Sequence, residues 1–418
     1  MRAAAGQGKT TGLVLTGGGA RAAYQVGVLA ALARIRHDCD AGAAAPFQVI
    51  TGTSAGAINA AALACGADDF DAAVDALREV WEHFSADQVY RADALGVIRT
   101  GARWLTMLSI GWVLARWRRA RPRSLLDNAP LAGLLERLVR TERLPQMMSE
   151  GHLHALAITA SSYGSGQHVT FYDARGDIVP WTRSQRIAVR EAIGTAHLLA
   201  SSAIPFVFPA VSLDLQGQAE WFGDGSMRQS APISPAVHLG AERILVIGSG
   251  RMHEPPGRRA ASPGYPSLAQ IAGHAMSSIF LDALAFDIER LQRINATLAL
   301  LPPAARAATS LRPIDVLVIA PTQRIDDIAA RHLASLPAPV RALLRGVGVS
   351  GDGALARGSA LASYLLFEAP FTRELIALGE ADTLARRDAV AGFFGWDRRA
   401  QRRSEPEPST FDLDNRLV

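Results

Sequence analysis

Residues 47–64, FQVITGTSAGAINAAALA, have the pattern of a strand, a tight turn and a helix in direct succession. The apolar run FQVIT at 47–51 is short enough for a buried β-strand. It leads into GTSAG at 52–56, and the small residues at 57–64 then predict a helix that packs closely against a neighbour. This order is typical of an α/β protein.

The same pattern occurs once more upstream. Residues 12–16 (GLVLT) predict a buried strand that stops at three consecutive glycines, and residues 22–35 carry apolar side chains at helical spacing. Two units of strand, tight turn and helix predict a parallel sheet.

Further short apolar runs predict additional strands at residues 153–160, 169–172, 243–247 and 314–320. The stretch 85–150 has a helical pattern and is predicted to be an insertion. We therefore predict an α/β, three-layer fold with a mostly parallel central sheet, a helical insertion and a helical C-terminal region.

Four regions are expected along the chain. Residues 1–10 form a flexible N-terminus, and residues 11–250 form the α/β domain with its insertion. Residues 251–396 form a mainly helical region with one further strand, which begins with a loop rich in Pro, Gly and Arg at 252–266. The polar and charged residues 397–418 are predicted to be a disordered tail.

The composition excludes several classes of protein. The chain has 43 Lys+Arg and 39 Asp+Glu, a formal charge of +4 that argues against a dedicated nucleic-acid binder. With 49% hydrophobic and 20% charged residues, global disorder is excluded. Cys39 and Cys65 cannot build a disulfide framework and lack metal-ligand spacing, so we expect a reducing compartment and no metal.

Ser54 is a candidate nucleophile because it is the central residue of G-x-S-x-G between a predicted strand and a predicted helix. Such a turn exposes the serine Oγ, and Gly52 and Gly56 avoid clashes with the neighbouring strand and helix. The alternative is a Gly/Ser turn without chemistry, which the position between strand and helix disfavours.

The loop of Gly17, Gly18 and Gly19 could hold an oxyanion with its backbone N–H groups. The alternative is a phosphate-binding loop, but a G-x-G-x-x-G pattern from Gly17 fails at Ala22. Residues 8–10 (GKT) resemble the end of a P-loop that lacks its first glycine and precedes the strand instead of following it.

The residues alone leave the activating base open. An α/β-hydrolase would supply Asp and then His after the serine, but that fold has several strands before its nucleophile, and here only one precedes Ser54. None of the ten histidines has a setting that nominates it as the base. His197 and His238 are interpreted as packing or surface residues.

The sequence resembles the patatin-like phospholipase family in four ordered blocks within residues 12–250. These are GGGAR at 17–21, GTSAG at 52–56, ASSAIPFVFPAV at 200–211, and GDGS at 223–226, which is followed by APISPAVHLGAERILVIGSG. The resemblance implies a serine–aspartate dyad without histidine, with Ser54 as the nucleophile and Asp224 as the base. It also implies that the glycine loop, helped by Arg21, holds the oxyanion and that no cofactor is needed.

Two positions depart from the family pattern. Ala22 stands where the family usually has glycine, and Ser226, after Asp224 and Gly225, stands where it has Gly or Ala. Both substitutes are small, so the backbone is expected to be preserved. A rival Asp-Gly-Ala at 352–354 lacks the downstream proline and strand of the family block, which favours Asp224.

Residues 104–115 (WLTMLSIGWVLA) form an apolar segment that is too short to cross a bilayer, which needs about 20 residues. Five arginines follow within 116–123. The segment is either buried in the insertion or a candidate for peripheral membrane contact through 104–123. Because residues 1–10 lack the apolar run of a secretory signal, we expect a cytoplasmic protein that can contact the inner face of the membrane.

We therefore predict a serine acyl hydrolase that cleaves a lipid ester, similar to a phospholipase A or lysophospholipase, through an acyl-Ser54 intermediate. One alternative is a weakly active or non-catalytic lipid-binding or regulatory protein, which only Ala22 and Ser226 support. A nucleotide-binding protein built on the Gly17 loop is a third. Head group, chain length and oligomeric state are not specified by the sequence.

Overall fold

The computed structural model describes residues 9–91, 124–252, 265–350 and 358–396. Within these ranges the chain forms one mixed sheet. Its strands are Thr11–Leu15 (β1), Val49–Thr53 (β2), Ala155–Ser162 (β3), His168–Ala174 (β4), Thr182–Arg183 (β5), Arg186–Arg190 (β6), Val211–Leu215 (β7), Gln218–Asp224 (β8), Arg243–Ile247 (β9) and Asp315–Ile319 (β10).

The centre of the sheet is parallel. In the order β10, β9, β1, β2, β3, each strand runs parallel to its neighbours. Beyond β3 the pairing becomes mixed: β3 pairs antiparallel with both β4 and β8, β7 pairs with β8, and β4 pairs parallel with β6. The carboxyl ends of β1 and β2 therefore lie side by side at one edge, where the two glycine turns begin.

Helices cover both faces of this sheet. They are Ala23–Asp38 (α1), Ala55–Cys65 (α2), Phe70–Glu82 (α3), Ala129–Leu138 (α4), Leu144–Ser149 (α5), Thr195–Ser201 (α6), Ser234–His238 (α7), Leu268–Ser277 (α8), Ala283–Leu300 (α9), Pro303–Ala307 (α10), Ile325–His332 (α11), Ala338–Gly346 (α12), Ser359–Ser363 (α13), Ala369–Leu384 (α14) and Arg387–Phe394 (α15). Short 3₁₀ turns occur at Gly19–Ala22, Ala86–Gln88, Thr141–Arg143 and Leu333–Ser335, and a π-helical turn at Ser278–Asp282 joins α8 to α9.

The core consists of two apolar clusters, one on each face of the sheet. Side chains of a strand alternate between faces, and β1 shows this directly, because Leu13 and Leu15 belong to one cluster and Val14 to the other. Such two-sided burial is what a parallel sheet between helical layers requires. The predicted three-layer α/β fold with a mostly parallel central sheet is thus confirmed.

The C-terminal region is continuous with the rest of the fold. Strand β10 pairs in parallel with β9 and extends the same sheet, and α14 packs along α1. Gly27 of α1 permits this contact, because a Cβ at that position would lie 1.9 Å from the Ile376 carbonyl oxygen. The sheet and the helical layer on the α1 face therefore include residues far beyond position 250.

The helical stretch 268–300 is long and apolar enough to cross a membrane by length and composition, and 28% of its most apolar window is buried. Polar contacts connect it to the rest of the protein: the Asp287 carboxylate accepts a hydrogen bond from Ile233 N at 2.9 Å, and Asn295 bonds to the backbone of Ile314.

Three features predicted from the sequence lie outside the described residues. They are the apolar segment 104–115 with its arginines, the tail 397–418 and the rival Asp352.

Candidate active site

Ser54 lies at the turn from β2 into α2, in a backbone conformation that is uncommon for a residue with a side chain. Its φ is 56° and its ψ is −131°, which costs about 1–3 kcal/mol. Both flanking glycines are required by sterics. A Cβ at Gly52 would lie 2.5 Å from Gly56 O, and one at Gly56 would lie 2.5 Å from the carbonyl oxygens of Leu15 and Thr16.

Asp224 lies next to Ser54 although 170 residues separate them in sequence. The sheet explains the approach, because β2 pairs with β3 along residues 155–159 and β8 pairs with β3 along residues 160–162, directly beyond the end of β2. The end of β8 at Asp224 therefore meets the end of β2 that leads into Ser54. Ser54 Oγ donates a 2.6 Å hydrogen bond to Asp224 Oδ2, and both residues are buried. The two residues that the resemblance nominates as a dyad are thus within hydrogen-bonding distance.

The environment of Asp224 makes its carboxylate a stronger base. Burial raises the pKa of this carboxyl to about 6 from an ordinary value of 3.8, while hydrogen bonds from Ser54 and Ser226 partly counteract the shift. Ser226 N donates to Oδ1 at 2.8 Å, so the serine at the variant family position keeps a backbone contact with the carboxylate. A Cβ at Gly225 would lie 2.0 Å from Thr159 O, which explains the glycine.

Ser201 forms hydrogen bonds with both the turn that holds Ser54 and the turn that follows Asp224. Its position in the sequence alone did not identify it as a site residue. Its Oγ accepts a hydrogen bond from Ser54 N at 2.9 Å, and its carbonyl accepts one from Gly225 N at 3.1 Å. Asp224 N also bonds to the nearby Ala203 carbonyl at 2.9 Å. The only indication in the sequence was the block at 200–211, which contains Ser201 and Ala203 and therefore the groups that make these hydrogen bonds.

The glycine loop at the end of β1 lies beside the same site. A Cβ at Gly17 would lie 2.2 Å from Ser226 Oγ, and one at Gly18 would lie 2.8 Å from the Ser249 side chain. Gly19 has a φ of 56°, and a Cβ there would lie 2.3 Å from Tyr364 O. Gly19 therefore requires glycine, because its φ is positive and a Cβ would meet backbone, whereas at Gly17 and Gly18 a Cβ would meet serine side chains.

The Arg21 side chain, which the resemblance implies helps the glycine loop to hold an oxyanion, makes its contacts away from the dyad. Its guanidinium is buried and bonds away from the dyad: Nε donates to Ser363 Oγ at 2.8 Å, and Nη2 donates to Asp326 Oδ1 at 2.5 Å. It also lies 4.1 Å above the ring centre of Tyr364. These groups belong to the C-terminal helical region, so these contacts hold the loop instead of reaching an oxyanion.

A cavity of about 280 Å³ opens onto Ser54 and Gly19. Helix α2 lines it with small or apolar residues at helical spacing from Ala55 to Gly66, a span of about 16 Å. The other walls are mainly apolar and include Leu77, Trp81, Phe84, Leu131, Leu135, Phe208 and Phe367. Charged residues occur at one part of the lining, where Arg143 pairs with Asp68 at 2.8 Å.

Among the described residues, no histidine forms a hydrogen bond with Ser54 or Asp224. The His197 ring packs against Phe171 at 4.8 Å, and the His238 ring packs against Trp181 at 4.7 Å. His168 is buried, and burial lowers its pKa to about 4, so it is neutral. The same part of the chain contains no group of three or more His, Cys, Asp or Glu residues that could hold a metal ion.

Comparison with known proteins assigns the chain to a family. The family model described as patatin-like phospholipase matches residues 13–237, which is more than half of the chain. The chain therefore belongs to the patatin-like phospholipase family, and this membership supports a lipid hydrolase activity. The match ends before β9, α8 and all that follows. A search of curated proteins gave no match.

Solved structures with a similar arrangement include three proteins at low identity. Human GIVD cytosolic phospholipase A2 is 13% identical, with 93% of this chain and 59% of that chain covered and a TM-score of 0.40. VipD from Legionella pneumophila is 12% identical, with coverages of 88% and 67% and a TM-score of 0.31. ExoU, in its complex with SpcU from Pseudomonas aeruginosa, is 16% identical, with 89% of this chain and 71% of that chain covered and a TM-score of 0.26. The chain spans about three fifths of the human phospholipase.

Proposed function

We propose that this protein is a serine acyl hydrolase that cleaves lipid carboxylic esters through an acyl-enzyme on Ser54. The observation that carries the proposal is the 2.6 Å hydrogen bond from Ser54 Oγ to the buried Asp224 carboxylate. A neighbouring base is what a serine needs to become a nucleophile. Family membership supports the lipid class of substrate.

In the first step, Ser54 Oγ attacks the ester carbonyl carbon while its proton passes to Asp224 Oδ2. The tetrahedral intermediate collapses, the alcohol leaves with that proton, and the acyl group stays on Ser54. Water then attacks the acyl-enzyme, gives its proton to Asp224 and releases the fatty acid when the proton returns to Ser54. A carboxyl with a pKa of about 6 can accept and return the proton near neutral pH.

We assign the oxyanion to backbone amides of the Gly17–Gly19 loop. Preorganised N–H groups at such a position stabilise the charge that develops on the carbonyl oxygen. The N-terminus of α2, which begins at Ala55 directly after the nucleophile, adds a favourable dipole. The Arg21 guanidinium is not assigned a contact with substrate, because its hydrogen bonds go to Ser363, Asp326 and the Ala360 carbonyl.

The cavity supports a long apolar acyl group as the part of the substrate that enters the protein. Its mainly apolar walls favour an alkyl chain over a polar group, since burial of apolar surface yields about 25 cal/mol per Å². It extends about 16 Å along α2 from the nucleophile, which suits an extended chain. Phospholipase A or lysophospholipase activity, a cytoplasmic location and membrane contact through 104–123 stay predictions.

Hydrolysis of p-nitrophenyl esters with acetyl and palmitoyl groups tests the proposal. We expect the wild type to prefer the longer chain. Ser54→Ala and Asp224→Asn should each lower kcat by about 10³-fold or more, whereas Asp352→Asn should have little effect. Loss of turnover in Asp352→Asn together with an active Asp224→Asn would overturn the assignment of the base. An inactive wild type that binds lipid would favour the non-catalytic alternative.

A further inference from the structure

The glycine loop at 17–19, here called the oxyanion loop for its proposed role, is contacted by residues that lie outside the region matched by the family model. Arg21 is 2% exposed, and its partners Asp326 and Ser363 are more than 300 residues away in sequence. Ser363 Oγ accepts from Arg21 Nε and donates to the Ala360 carbonyl at 2.6 Å, which orients the hydroxyl toward Arg21. The arrangement forms a network around one buried cation.

Tyr364 extends the same network to the backbone of the loop. Its carbonyl oxygen accepts a hydrogen bond from Ala20 N at 3.1 Å and leaves no space for a Cβ at Gly19. Its ring lies under the Arg21 guanidinium and packs against Phe280 at 5.0 Å, and Phe280 in turn lies beside Gly17. The loop is thus contacted from the C-terminal region at its glycines and at Arg21.

Two physical arguments connect this network to catalysis. A buried guanidinium must be paired, because an unpaired buried charge is strongly unfavourable. An oxyanion site works only when its donors are fixed before the charge develops, and displacement of one donor is costly in rate. If Arg21 lost its partners, it would move toward solvent and pull Ala20 and Gly19 with it.

We propose that Asp326 and Ser363 are positioning residues for acyl transfer, which act by holding Arg21 and thereby the oxyanion loop in place. This inference rests on the proposed function and adds that the C-terminal helical region completes the active site. The alternative is that the network only stabilises the folded chain. In that case the reaction rate per correctly folded molecule is independent of it.

Asp326→Asn and Asp327→Asn form a matched pair, because both remove one negative charge from the first turn of α11, but only Asp326 contacts Arg21. We expect Asp326→Asn to lower kcat by about tenfold, measured per Ser54 titrated with a fluorophosphonate, with KM and the acidic midpoint of the pH profile unchanged. Ser363→Ala is a milder second variant with a smaller fall in kcat. Asp327→Asn should match the wild type.

Hydrogen–deuterium exchange of the peptide that contains Gly17–Ala22 gives a readout that needs no substrate. Exchange should be about tenfold faster in Asp326→Asn than in Asp327→Asn. Equal exchange in this pair, or faster exchange with unchanged kcat in Asp326→Asn and Ser363→Ala, would overturn the inference. An inactive wild type with loop exchange that still depends on Asp326 would instead refute the proposed function while the role of Asp326 in holding the loop stands.

Discussion

Two glycine-containing turns, the β1 turn at 17–19 and the β2 turn at 52–56, each connect a parallel strand to a helix but differ in the residues that contact them. The β2 turn holds Ser54 in a strained conformation, and its supports, Ser201 and Asp224, lie within residues 13–237. The β1 turn relies on Tyr364, Asp326 and Phe280, all beyond that range. The nucleophile is therefore built by the family core, whereas the glycine loop is completed by the chain that follows.

Because their supports differ, the two turns should respond differently to substitutions. Alterations of the nucleophile turn act on contacts between adjacent elements of the central sheet. Alterations of the glycine loop act through packing between the sheet and the C-terminal helices. Variants that separate the two responses therefore test the comparison.

Glycine-to-alanine substitutions should give the largest effects. Gly56→Ala places a Cβ against the carbonyl oxygens of Leu15 and Thr16, both backbone atoms of β1 and its turn, so we expect a loss of several kcal/mol or failure to fold. Gly19→Ala meets Tyr364 O, a backbone atom of the C-terminal region outside the central sheet, so we expect a folded protein with greatly reduced kcat. Soluble yield, thermal unfolding and ester hydrolysis measure these outcomes.

Gly392→Ala provides the control, because a Cβ there meets nothing within 4 Å and the residue lies inside helix α15. It should be neutral or stabilising by up to about 1 kcal/mol. A Gly19→Ala variant with wild-type kcat would remove the basis for treating the β1 turn as part of the site.

Asp224→Asn should increase stability while it removes activity. The folded protein holds the Asp224 proton up to a pKa of about 6, whereas the unfolded chain releases it near the ordinary value of 3.8. The unfolded state therefore binds fewer protons between these values, and the stability of the wild type falls as pH rises from about 4 to 6. At pH 7 the neutral Asn variant should be more stable by about 1–3 kcal/mol.

Denaturant unfolding at several pH values measures this effect. The difference between Asp224→Asn and wild type should be small near pH 4 and reach its maximum above pH 6. If the variant is less stable than the wild type at pH 7, the carboxylate is not destabilised by burial, and the explanation of its basicity is wrong.

Much of the site could be predicted from local sequence because glycines mark it. The strand, turn and helix around Ser54 follow from residues 47–64 alone, and the observed strand is shifted by only two residues. Asp224 could not be found from spacing, because its approach depends on the β3–β8 pairing, and only the family resemblance nominated it. The direction of the Arg21 side chain could not be predicted, because its partners, Asp326 and Ser363, are more than 300 residues away in sequence and lie in a segment without any recognisable motif.

The activation of Ser54 by Asp224 can be measured through the rate at which a fluorophosphonate modifies the protein, followed by mass spectrometry of intact protein and peptides across pH. We expect one adduct, on Ser54, formed at a rate that rises with pH around a midpoint of about 6, and a rate lower by about 10³-fold in Asp224→Asn. An adduct elsewhere would show that Ser54 is not the nucleophile, and modification of Ser54 in Asp224→Asn at the wild-type rate would show that Asp224 does not activate it.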